Sequence, residues 1–144
     1  GKVMKIAVID GQGGGIGKYI IERIRKNMAQ DIYILALGTN ALATSAMIKA
    51  GANQGATGES AICFNCMHGD LSLIIGCLSI MFPNAMLGEM TPKAAEAIGL
   101  SKAKKLLLPL TQENIVLMGS TKEPLPHLVE EMIQEMRREM EGDL

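Results

Sequence analysis

The chain of 144 residues carries 14 Lys and Arg against 15 Asp and Glu, a formal charge of −1 without blocks of either sign, which argues against a polybasic nucleic-acid surface. Apolar residues make up 48%, yet aromatics only 3%, with no Trp and 11 Met, so the core of one domain over 1–144 must be filled by aliphatic side chains and adaptable Met. The longest apolar run, 71–82, is broken by Ser72, Gly76 and Ser79 and stops at Pro83, short of the roughly 20 residues of a membrane span, and three cysteines that cannot all pair fit a reducing, cytoplasmic setting.

Residues 5–9 form a short apolar run rich in β-branched side chains, which suits a central parallel strand; it leads into glycines and not into a leader cleavage site. Ile16, Ile20, Ile21, Ile24 and Met28 then recur at helical spacing, with Lys18, Glu22, Arg25 and Lys26 on the other side. Residues 32–37 read as a second strand, and Gly38, Thr39 and Asn40 break it and cap a helix over 41–50. A small-residue loop over 51–60 is predicted to lead to a third strand at 61–66, a turn at 68–70 and a fourth strand at 71–75. Thr91 and Pro92 open a helix that Gly99 stops. A fifth strand over 105–110 and an edge strand over 115–118 follow. Leu125, Leu128, Val129, Met132, Ile133, Met136 and Met140 mark a closing amphipathic helix. Strands alternating with helices predict a Rossmann-like α/β domain, a parallel sheet of about five to six strands covered on both faces, with ligands outside the carboxyl ends of the strands.

Asp10, Gly11, Gln12, Gly13, Gly14, Gly15, Ile16 and Gly17 lie where the first strand ends and the first helix begins. Five of the nine residues from Asp10 to Lys18 are glycine. Backbone without Cβ approaches a phosphate closely, and the amides and dipole of a helix start favour the anion. The spacing is not that of a P-loop, which needs Gly where Gln12 stands and a hydroxyl where Tyr19 stands. It fits G-x-x-x-G-x-G through Gly11, Gly15 and Gly17. Gly38, Thr39 and Asn40, at the tip of the second strand, complete the predicted nucleotide site. NAD folds place an acid about 20 residues beyond the glycines, at that tip. Here the nearest acid along the chain, Asp31, is at the wrong end of the strand, so the expected ligand is NADP or a mononucleotide.

The glycine spacing resembles the cofactor loop of short-chain dehydrogenases, whose catalytic Tyr-x-x-x-Lys has no counterpart: Tyr19 is followed four residues later by Arg23 and Tyr33 by Leu37. Over nearly the whole chain, the stretches KIAVIDGQGGGIGK, ALGTNALATSAMIKAGAN and EPLPHLVEE resemble a family of short bacterial proteins described as a domain of unknown function, which implies a nucleotide-binding-like fold. A weaker likeness, to bacterial tubulin-type GTPases, lies in the glycine turn with Thr39, Asn40 and residues 50–53; their second signature, G-G-G-T-G-T-G, is missing.

Asn53, Thr57 and Glu59 are candidates for the far wall of the crevice. Asp10 orients a ribose or phosphate-bound metal, or caps its own turn. Cys63, Cys66 and His68 hint at a metal set, but on a strand residues three apart face opposite ways and no second pair completes a site. His127, opening the last helix, and His68 are candidate acid–base groups. The apolar surplus of 71–87 and the Met132, Met136, Met140 stripe predict a homodimer or larger homo-oligomer. Three functions compete: a nucleotide binder without chemistry of its own, a small oxidoreductase or transferase completed by a partner subunit, and an interaction protein that has lost its ligand.

Overall fold

A computed structural model describes residues 3–28 and 31–142. The elements alternate: β1 (Met4–Asp10), α1 (Gly15–Asn27), β2 (Ile32–Gly38), α2 (Ala41–Ala50), β3 (Gln54–Thr57), α3 (Glu59–His68), β4 (Leu73–Cys77), a short 3-10 turn (Leu78–Met81), α4 (Pro92–Leu100), β5 (Lys104–Leu108) and α5 (Leu125–Gly142). All five strands are parallel, in the order β3-β2-β1-β4-β5. The order reverses between β1 and β4. Met4 pairs with Ile32 and Asp10 with Gly38, so β1 and β2 end level and present their turns side by side.

Strand alternation sends successive side chains to opposite faces. Met4, Ile6 and Val8 of β1 join Ile34 and Ala36 in a core closed by Ile20, Ile21 and Ile24 of α1, Met47 of α2 and Leu128, Val129, Met132, Ile133 and Met136 of α5. Ala7 and Ile9 face the other way, under Ile62 and Cys66 of α3 and Ala94, Ala97 and Ile98 of α4. The sheet is thus covered on both sides, which is why its strands read as continuous apolar runs.

Three expectations are corrected here. Residues 61–66 are not a strand but lie within α3, which buries Ile62 and Cys66 four residues apart. Its remaining apolar residues, among them the exposed Phe64 and Met67, filled the gaps and made the segment read as a continuous run. The third strand falls instead in the expected loop, at Gln54–Thr57, a polar edge whose signal is backbone pairing with β2 alone. Residues 115–118 are irregular chain leading into a turn, not an edge strand; Val116 and Met118 are exposed, and the segment borders a cavity of about 780 Å³ beyond β5. Finally, the apolar surplus is absorbed within the chain: Met132 and Met136 are buried under α5, and of 71–87 only Leu87 remains a large exposed hydrophobic.

Candidate functional site

The five glycines of the turn divide into two groups. At Gly17 a Cβ would stand 2.5 Å from Met47 Sδ and 3.0 Å from Asp10 Cβ, and at Gly14, with φ 73°, it would stand 2.8 Å from Ala43 Cα. At Gly11 it would meet the Thr39 hydroxyl and lie 2.6 Å from Met86 Sδ. These three let the turn sit tightly on α1, α2 and the β2 tip. Gly13 and Gly15 differ: a Cβ on either would meet nothing within 4 Å, and neither has a left-handed φ.

Asp10 caps this turn from inside. Its carboxylate accepts the Gly11 N–H at 2.8 Å and the Gly17 N–H at 2.7 Å, and it is buried. Burial outweighs these hydrogen bonds and raises its pKa above the ordinary 3.8, with a smaller push from the charge of Glu89. The same burial, helped by the Asp10 charge, pushes the Cys77 thiol at the end of β4 up to about 12, so it is no nucleophile near neutrality.

At the β2 tip, Asn40 caps α2 by accepting the Ala43 N–H at 2.9 Å. Its amide nitrogen donates to Gln12 O at 2.9 Å and to Glu89 Oε1 at 2.8 Å. The same Glu89 oxygen accepts the Thr39 hydroxyl at 2.7 Å and the Gln12 N–H at 2.8 Å. These bonds, the one from Gln12 foremost, hold the Glu89 carboxyl below the ordinary 4.5. Sequence reasoning missed Glu89. Acids counted along the chain from β2 do not include it, because Glu89 comes from the segment after β4 and reaches the tip across 50 residues. Its only sequence signal is a lone acid in the turn-rich stretch before α4.

The turn residues and the tip residues Gly38, Thr39 and Asn40 are therefore brought together, with Thr57 beside Gly38 in the sheet, while the remaining candidates are not. Asn53 is structural: its Oδ1 accepts from Arg25 at 2.7 Å and from the Ile34 N–H at 2.8 Å. Thr57 pairs with the Thr44 hydroxyl at 2.7 Å, and Glu59 is an exposed first residue of α3. Cys63 and Cys66 sit one turn apart on a helix, so the opposite-face argument does not apply to them. Among the described residues no group of three or more His, Cys, Asp or Glu side chains is gathered as a metal set. His68 ends α3 beside the Phe64 ring, and exposed His127 lies 3.2 Å from Glu123.

An all-parallel sheet, a glycine turn entering the first helix and a strand order that reverses beside that turn define a Rossmann-like α/β protein. Residues 5–141 match the family described as Domain of unknown function (DUF3842), and the chain belongs to it. No curated protein and no solved structure matches the chain.

Proposed function

We propose that this protein binds a nucleotide, with a phosphate on the glycine turn and the β2 tip. The observation that carries the reading is the open side of the turn. Glycine costs backbone entropy wherever nothing requires it, and Gly13 and Gly15 answer to neither packing nor backbone conformation. A ligand approaching that side supplies the requirement. The site lies at the carboxyl end of β1, next to the reversal of strand order, where open α/β sheets take their ligands. The gathering of the Gln12 N–H, Thr39 hydroxyl and Asn40 amide on one carboxylate oxygen supports a tip that reads an anionic oxygen. With Glu89 displaced, those donors favour NADP, through its 2′-phosphate, or a mononucleotide, over NAD.

Calorimetric titration with NAD, NADP, ATP and GTP tests this. NADP or one of the mononucleotides is expected to bind more tightly than NAD, and Thr39→Asp is expected to weaken it. Tighter binding of NAD by the unmutated protein would overturn the ligand assignment, and so would NADP affinity untouched by Thr39→Asp.

The proposal extends to setting and assembly. All three cysteines are free, which supports a reducing, cytoplasmic setting, and no described helix is long and apolar enough to cross a membrane. Self-association is now supported by exposed Phe64 and Met67 on α3 and Leu100 at the end of α4, rather than by the methionine stripe.

A further inference from the structure

We propose that Glu89 is an internal anion that covers the donors at the β2 tip, so that a phosphoryl group reaches those donors only by displacing the tip of the segment that carries it. The inference rests on the nucleotide reading and adds a regulation to it. Three donors converge on one oxygen, Glu89 Oε1: the Gln12 N–H at 2.8 Å, the Thr39 hydroxyl at 2.7 Å and the Asn40 amide at 2.8 Å. They come from the glycine turn and from the tip of β2, and none from Glu89's own segment. A carboxylate oxygen so held has the charge and the donor shell of a phosphate oxygen.

Counting hydrogens makes the two occupants exclusive. Gln12 has one backbone amide hydrogen and Thr39 one hydroxyl hydrogen, and both go to Glu89. Of the two on the Asn40 amide, one goes to Glu89 and the other to Gln12 O. An incoming phosphoryl oxygen finds these three donors only when the carboxylate leaves. Met86 adds a second obstruction, since its sulfur packs over Gly11.

The segment is built to let go at its tip. Its neck is fixed: Ala85 and Met90 are buried, the Met90 N–H donates to Ala85 O at 3.1 Å, and the Asn84 N–H to Met90 O at 2.7 Å. Its tip is not anchored by burial, for Leu87 is 98% exposed. Asn84, Met86 and Leu87 hold left-handed φ values of 65°, 58° and 58°, a conformation that Asn tolerates but that is strained for Met and Leu. The contacts of Glu89 and Met86 offset that strain. An anion that takes the donors removes the offset and releases the strain, which gives the segment two discrete positions.

The test uses inorganic phosphate as probe, followed by the NMR signals of the Gln12 backbone amide and the Asn40 side-chain amide in the full chain. Glu89→Ala is expected to bind phosphate about tenfold more tightly than the unmutated protein, because the uncovered state no longer has to be populated first. Glu89→Gln, a weaker acceptor of the same shape, is expected in between and carries the test if Glu89→Ala unfolds. Glu22→Gln removes an exposed charge on α1 and controls for screened electrostatics, with an expected change below about twofold. Phosphate affinity that is unchanged or weaker in the Glu89 variants, or raised no more than in Glu22→Gln, overturns the cover. So does the lack of any phosphate-induced shift at Gln12 and Asn40. Nucleotide binding that depends on Gly15 but ignores Glu89→Ala would remove the cover and leave the nucleotide reading standing; loss of nucleotide binding altogether, with phosphate behaving as expected, would do the reverse.

Discussion

Of the glycines that follow Asp10, Gly17 is one whose lack of a side chain the fold needs, beside Gly14, where a Cβ would meet the Ala43 backbone at positive φ. Alanine there would press on Met47 and Asp10 at once, and Gly17→Ala is expected to destabilise the protein by about 1–3 kcal/mol, measurable by urea unfolding. Gly15 is the opposite case. Gly15→Val meets open space, so it is expected to stay folded with a similar unfolding midpoint while losing nucleotide affinity in calorimetry. Unchanged affinity in a folded Gly15→Val protein would remove the phosphate-turn assignment. The sequence displays both glycines alike, because spacing reports that a Cβ is missing and not which neighbour forbids it. Two carboxylates of the site also titrate in opposite senses. Glu89, depressed below 4.5, contributes stability that is present above that value and lost as pH falls through its folded pKa. Asp10, raised above 3.8 by burial, contributes in the other direction: its share is present below 3.8 and is lost as pH rises through its folded pKa. Carbon-13 titration of the two side chains is expected to find Glu89 ionising below 4.5 and Asp10 above 3.8; the reverse order of shifts would refute the burial argument.

Elements with an apolar face were legible, and elements without one were not. α1, α2, α4 and α5 carry either periodic aliphatic positions or a recognisable cap, such as Asn40 or Thr91. β3 has neither, since it is an edge of Gln, Gly, Ala and Thr held by its neighbour. α3 misled because an apolar run with little periodicity looks the same in a buried strand and in a helix. What fixes the α1–β2–α2–β3 group in place is also invisible to periodicity. Arg25 of α1 donates to Gly51 O at 2.9 Å, to Ile32 O at 2.7 Å and to Asn53 Oδ1 at 2.7 Å, joining the end of one helix to the start of a strand and to the loop after the next helix. Arg25→Met is expected to cost about 1–3 kcal/mol, as the two carbonyls and Asn53 lose a charged donor. Amide exchange that speeds up relative to the unmutated protein at Ile34, Asn53 and Gln54 but not at Ile6 would place the damage at that joint, and a uniform increase would refute it.

At the scale of the whole molecule, one sheet with two covered faces takes up most of the aliphatic side chains. The alternation of strands and helices made that architecture readable; the Glu89 contact was not, because it depends on how a turn-rich segment folds back over the sheet. The apolar side chains left outside, Phe64, Met67 and Leu100 among them, set the expectation that light scattering at tens of micromolar reports a dimer or larger species. A monomer at that concentration would end the proposal of self-association. The strand order has a further consequence, in time rather than in space. Gln12, Thr39 and Asn40 belong to the first 40 residues of the chain, whereas Glu89 reaches them across separations of 77, 50 and 49 residues. During synthesis at roughly 5–20 residues per second, the donors leave the ribosome several seconds ahead of their internal acceptor. For that interval the three donors have no internal acceptor.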